Sequence, residues 1–208
     1  MHVSDVAYKP TPAEVKQLRE DTQAGMMDCK RALEESSGDM DAAKKWLREK
    51  GLAAAGKRAG RGTGAGVVES YIHATGTIGA MVEVGCETDF VARNDTFKAF
   101  ARDVALQIAA GRSLQFVSED EIPDAFRAAE IDTFRGKAAN EGKPENMLDK
   151  IAEGMWSKSL SDTVLLKQPS IKPEHDGKTI ETLRAELSGT IGENIEVKRF
   201  ARFQVGVE

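Results

Sequence analysis

Apolar positions recur with a helical period over the first third of the chain, then with period two, then with a helical period again. Thr11-Pro12-Ala13-Glu14 reads as a helix start, with Thr11 as cap, Pro12 at the first helical position and Glu14 completing a capping box. Val15, Leu18 and Thr22 follow on one face, and Ala24-Gly25 breaks the run. A second helix points Met26, Cys29, Ala32 and Leu33 inward, and Ser37-Gly38-Asp39 stops it and caps the next. The third carries Met40, Ala43, Trp46 and Leu47 on its apolar stripe and ends at Gly51. Short helices joined by tight turns predict a small three-helix bundle. Leu52 to Gly66 is rich in glycine and alanine, with Lys57, Arg58 and Arg61 interspersed, and reads as a flexible, partly helical linker.

Strict alternation then begins. Val67 to His73 is rich in β-formers, Ala74-Thr75-Gly76 is a turn, and Ile78 to Glu87 sets Ile78, Ala80, Val82, Val84 and Cys86 on one face. Period two with an aliphatic face predicts a half-buried strand, and the short turn makes the pair an antiparallel hairpin. Asn94 caps a helix striped by Phe97, Phe100, Ala101, Val104 and Ile108, which Gly111 ends. Helical patterns return at Pro123 to Asn140, Pro144 to Leu160 and Lys178 to Leu187. In the last segment Ile195, Val197, Ala201, Phe203 and Val205 alternate with Glu196, Lys198, Arg202 and Gln204, predicting a third strand that closes the same sheet. The fold class is therefore α+β: a bundle over residues 1–55, a linker over 56–66, and a core over 67–208 in which helices cover a three-stranded antiparallel sheet.

Composition narrows the function classes. Over 208 residues, 29 Lys and Arg against 34 Asp and Glu leave a net charge of −5, which argues against a dedicated nucleic-acid binder. At 6% aromatic residues the core must be mostly aliphatic. Cys29 and Cys86 make no disulfide framework and suit a reducing compartment. No stretch approaches the roughly 20 apolar residues of a membrane span. Met1 to Pro10 lacks the pattern of a secretory leader. The expectation is a cytoplasmic protein without membrane partner. His2, His73 and His175 are scattered, and no HExxH, paired CxxC, GxSxG or P-loop is present, so neither catalytic residue, metal site nor cofactor is expected. Gly60-Arg61-Gly62-Thr63-Gly64-Ala65 spells GxGxxA, but a linker precedes it and a strand follows, the reverse of a dinucleotide turn.

Glu87-Thr88-Asp89-Phe90-Val91-Ala92-Arg93-Asn94 stands out, joining the central strand to a helix cap with an acidic residue and a large aromatic. Two readings compete. In the first, which pattern alone favours, Phe90 folds back into the core and Asp89 caps the turn. In the second, Phe90 is an anchor offered to a partner, as aromatics on rigid loops often are. At Gly25-Met26-Met27, two adjacent methionines cannot both face one core, and one exposed Met suits an adaptable binding patch or is incidental. Trp46 and Trp156 lie on apolar stripes and read as core.

Several segments, taken in order, resemble the bacterial translation elongation factor Ts family over nearly the whole chain. They include Val15-Lys16-Gln17-Leu18-Arg19-Glu20, Gly25-Met26-Met27-Asp28-Cys29-Lys30-Arg31-Ala32-Leu33 and Trp46-Leu47-Arg48-Glu49-Lys50-Gly51. Further along come Glu87 to Asn94, Gly142-Lys143-Pro144-Glu145-Asn146, Leu165-Leu166-Lys167-Gln168-Pro169, Ile191-Gly192-Glu193-Asn194-Ile195 and Arg199-Phe200-Ala201-Arg202-Phe203.

The resemblance implies a guanine-nucleotide exchange factor for elongation factor Tu, in its GDP-bound and nucleotide-free states, with an N-terminal bundle of the ubiquitin-associated type. It implies that Thr88, Asp89, Phe90 and Val91 form the segment associated with dislodging Mg²⁺ from the partner, Asp89 and Phe90 being the residues that intrude. It places Met26 and Met27 where the bundle meets the GTPase domain. It thereby favours the anchor reading of Phe90. Longer members carry a second core subdomain and an inserted helical hairpin; this chain looks like the short form, for which a homodimer is expected. The alternative is a non-exchanging adaptor of the translation apparatus.

Overall fold

The computed structural model describes residues 8–22 and 24–207. Met1 to Ala7, which hold His2 and most of the stretch read for a leader, lie outside the described residues, as do Gln23 and Glu208. Among the described residues, eight α-helices and three strands follow in the order ααα-ββ-αα-αα-α-β.

The first three are helices α1 (Pro12–Thr22), α2 (Met26–Glu35) and α3 (Met40–Arg58). The capping box forms as predicted: Glu14 N donates to Thr11 Oγ1 at 3.3 Å, and Thr11 N donates to Glu14 Oε2 at 2.7 Å. Asp39 caps α3 by accepting from the backbone of Asp41 and Ala42. Leu18, Cys29, Ala32, Leu33 and Ala43 are fully buried, with Tyr8, Val15, Met40, Trp46 and Leu47 packed around them. Each buried leucine contributes about 1.5–3 kcal/mol to this core.

Three expectations for the bundle are corrected. Met26 does not point inward; both Met26 and Met27 are exposed, because the first turn of α2 lies beyond the ring of side chains that closes on Cys29. Trp46 is only partly buried, with the Lys50 ammonium 4.9 Å above its ring. The helix also does not end at Gly51. A glycine inside a helix costs about 1 kcal/mol, but packing overrides that here. Helix α8 (Ile180–Ile191) brings Gly189 against Gly51, Ala55 is buried, and Arg58 donates to the Ser188 carbonyl at 3.2 Å.

Strands β1 (Ala65–Ile72), β2 (Ile78–Cys86) and β3 (Ile195–Gln204) form one antiparallel sheet in the order β1-β2-β3. The predicted inner face holds: Ala80, Val82, Val84 and Cys86 are buried. Helix α5 (Asp95–Ala110) covers that face, since Arg102 pairs with Glu69 and Arg202 donates to the Ala109 carbonyl. The third strand departs from its pattern. Ile195 and Val197 are buried, yet Phe203 is 69% exposed and Val205 74%. On the same uncovered face, Ile72 and Met81 are exposed and Arg199 bridges to Glu83. The alternation changes phase after Val197: Phe200, Arg202 and Gln204 are the half-buried positions, so Ala201 and Phe203, which the pattern groups with Ile195 and Val197, come to the opposite face.

Helices α6 (Asp124–Asn140) and α7 (Leu148–Thr163) pack as a hairpin. Trp156, Leu160 and Val164 form its core with Phe116, Ile122, Phe126, Ile131 and Phe134, and Phe126 meets both Phe116 and Trp156 edge-on. The chain divides into two compact units. One gathers the chain up to Gly66 with Gly85–Phe97 and Thr182–Glu196; the other gathers Val67–Val84, Lys98–Glu181 and the chain from Val197.

Candidate functional site

Strand β2 ends at Cys86, and the next regular element is the single helical turn α4, Asp89–Ala92. Thr88 stands between them in extended conformation, with φ −128° and ψ 158°. Here the chain passes from strand to helix, and successive side chains then diverge around the turn. Val91 is buried, while Phe90 is 80% exposed. The core reading of Phe90 is therefore overturned: Val91 holds the turn to the body, and Phe90 is offered to solvent. An aromatic ring left in water on an ordered turn is unusual, since burial would withdraw some 150–250 Å² of apolar surface.

Asp89 does not cap the turn with its side chain. Its Oδ2 accepts from Arg93 Nη2 at 2.8 Å, an i,i+4 pair on the solvent side. The pair holds the acidic group beside Phe90 without burying it. Asn94 caps the following helix as predicted, its Oδ1 accepting from Thr96 N at 2.8 Å and Phe97 N at 3.3 Å. The Cys86 thiol, fully buried, donates to the Thr88 carbonyl at 3.2 Å. Burial, seconded by the nearby Glu193 carboxylate, pushes its pKa up, which keeps it a neutral structural thiol.

The corner is stitched to a loop more than a hundred residues later. Glu193 Oε2 accepts from Glu87 N at 3.0 Å and Thr88 N at 3.1 Å, and its Oε1 accepts from Thr88 Oγ1 at 2.6 Å. In return Glu87 Oε1 accepts from Asn194 N at 2.6 Å and lies 3.6 Å from the Arg61 guanidinium. Asn194, buried, donates from Nδ2 to the Arg61 carbonyl at 2.8 Å. Helix α8 delivers Glu193 through Gly192, whose φ of +87° only glycine adopts freely, and Ser188 Oγ donates to the Glu193 carbonyl at 2.6 Å.

The sequence assigns roles to Thr88, Asp89, Phe90 and Val91; Glu87 stands in the same segment without one, and Glu193, Asn194 and Arg61 are not joined to this site. The one available signal was a Gly-Glu-Asn turn between helix and strand; nothing in a linear pattern pairs it with a turn so distant. Met26 and Met27 lie elsewhere, on the first turn of α2, 58% and 73% exposed. Among the described residues no group of three or more His, Cys, Asp or Glu is placed to hold a metal ion, and no helix is long and apolar enough to cross a membrane.

Comparison with known proteins gives a consistent result. The family model described as elongation factor TS matches residues 54–176, more than half of the chain. The chain is 52% identical over 192 residues to a protein named elongation factor Ts from Thermosynechococcus vestitus, covering 92% of this chain and 64% of that protein. A protein of the same name from Carboxydothermus hydrogenoformans is also 52% identical over 192 residues, covering 92% of this chain and 87% of its own length. For the one from Nitratidesulfovibrio vulgaris, identity is 50% over 194 residues, covering 93% of this chain and 96% of that protein. The chain thus spans under two thirds of the first of these relatives and nearly all of the last.

Proposed function

The chain belongs to the elongation factor Ts family, and from that premise we propose that it is a guanine-nucleotide exchange factor for the GTPase elongation factor Tu. Phe90 is the wedge and Asp89 the charge beside it. The observation that carries this reading is the exposure of Phe90 on a turn whose neighbours are tied down. Such a factor needs no reacting group of its own. Mg²⁺ and the phosphates of GDP stabilise one another in the partner's site, so a side chain that displaces the ion or the loops holding it weakens both. Linkage makes the effect reciprocal: a factor that binds the nucleotide-free GTPase more tightly must lower nucleotide affinity by the same ratio. The surplus affinity comes from burying Phe90, and from Met26 and Met27 of the bundle, against the partner. Thr88 and Val91 belong to the same segment but hold it in place, Thr88 through its bonds to Glu193 and Val91 by its burial.

The reading extends to a homodimer. Ile72, Met81, Phe203 and Val205 are exposed on the sheet face opposite α5, and a second copy of this chain is the occupant that would cover them.

The test is release of a fluorescent GDP analogue from loaded elongation factor Tu. Added chain should accelerate the decay in a saturable manner. No acceleration at saturation would refute exchange, and binding without acceleration would establish the adaptor reading instead.

A further inference from the structure

We infer that Glu193 is a positioning residue for the Asp89–Phe90 wedge. The inference rests on the exchange reading above and identifies what holds the wedge in place. Phe90 is not fixed by its own packing, because most of its surface is free. Its direction is set by the two residues before Asp89, where the β2 ladder has ended and α4 has not begun. Two successive backbone N–H groups there, of Glu87 and Thr88, have Glu193 as their acceptor, and so does the Thr88 hydroxyl. A carboxylate suits this place because it accepts three bonds on two oxygens without supplying a donor, and charge-assisted bonds are the stronger kind.

The arrangement is reciprocal. Glu87 reaches the backbone of Asn194 while Glu193 reaches the backbone of Glu87 and Thr88, so neither segment rotates without breaking bonds in both directions. Thr88 does not cap α4 with its hydroxyl, although Thr is a good capping residue, because that group is spent on Glu193. A turn held this way meets its partner already ordered, and a wedge displaced by an ångström or freed to rotate loses most of its effect on the step it drives.

The experiment compares Glu193→Ala, Glu193→Gln and Phe90→Ala in the full chain, measuring GDP-analogue release from elongation factor Tu over a range of factor concentration. Glu193→Ala should lower the maximal rate by about tenfold or more while moving the half-saturating concentration by less than about threefold. Glu193→Gln should restore most of the rate, since the amide oxygen still accepts the two N–H groups and the amide nitrogen donates to the Thr88 oxygen. In a Phe90→Ala background, Glu193→Ala should cost less than about twofold more, because the wedge it positions is gone. Amide hydrogen exchange supplies a readout independent of activity: the Glu87 and Thr88 amides should be protected in the wild type and in Glu193→Gln, and open in Glu193→Ala.

The inference is overturned if Glu193→Ala exchanges nucleotide at the wild-type rate, if its loss is undiminished without Phe90, or if the two amides stay protected. If the wild type itself leaves GDP release unaltered, the exchange reading falls.

Discussion

Truncating Phe90 to alanine separates an offered side chain from a structural one, because the two predict opposite patterns of damage. A phenylalanine removed from a core costs about 3–5 kcal/mol. Phe90 is 80% exposed, so about a fifth of its surface is withdrawn from water. Taking about 200 Å² for the ring, that fifth is on the order of 40 Å², or about 1 kcal/mol at 25 cal/mol per Å². Alanine returns roughly half of this through its better helix propensity within α4. The net loss is well under 1 kcal/mol, and a protein of this size should melt within about 4 °C of the wild type. On the partner the balance reverses. A central aromatic anchor contributes about 2 kcal/mol or more, which is about a thirtyfold change in an equilibrium or a rate. Melting temperature and GDP-analogue release from elongation factor Tu should be measured on one preparation. A normal melt with exchange reduced at least about thirtyfold is the expected result. A melt lowered by many degrees, or exchange that survives the truncation, would refute the argument that the ring is held out for a partner.

Other expectations follow from separate features. A Cβ on Gly189 would lie 2.6 Å from Gly51 Cα and 2.8 Å from its carbonyl carbon, whereas one on Gly51 meets Gly189 Cα at 3.4 Å; Gly189→Ala should destabilise by about 1–3 kcal/mol in a denaturant titration, and Gly51→Ala should be near neutral or gain up to about 1 kcal/mol in helix propensity. If a second copy covers the uncovered sheet face, light scattering should find a dimer, and Phe203→Asp should shift it to monomer without unfolding; a wild-type monomer at every concentration would remove that proposal. The Glu14 carboxyl is held below the usual carboxylate range, first by the Tyr8 hydroxyl and then by the Thr11 backbone and side chain. Because the folded value is depressed, the stabilisation is complete above the ordinary carboxylate pKa and is lost as pH falls through the folded value; Tyr8→Phe should raise the Glu14 midpoint in an NMR titration, and an unchanged midpoint would contradict the assignment of cause.

The helices and strands were legible because their signals are local. A threonine three residues before a glutamate, an aspartate before an apolar stripe and ten residues of strict alternation each specify their own geometry, and α1, α3 and β2 begin where those signals stand. What failed depended on a neighbour distant in sequence. Gly51 reads as a stop until Gly189 is seen beside it. Phe203 and Val205 read as core until the change of face after Val197 is seen. Phe90 divided the same way: pattern alone placed it inside, because a large aromatic between a buried strand and an amphipathic helix usually finds a core. The segment was visible as unusual; its orientation was not.

That orientation also explains the division of labour between adjacent residues. In a single helical turn successive side chains diverge by about 100°, so one residue grips the body while its neighbour is directed away from it. Val91 and the Glu193 bonds to Glu87 and Thr88 take the first task, and Phe90 the second. A phenylalanine 80% exposed gains little for the isolated fold, and Glu193 must hold the corner with little help from that ring. The corner is held instead by the crossed bonds of Glu87 with Asn194 and of Glu193 with Glu87 and Thr88. Under the exchange reading proposed above, the free energy of burying Phe90 stays available for the GTPase. A factor that works by differential affinity must carry unsatisfied apolar surface of this kind, and it must carry it on a support too rigid to fold the ring back in.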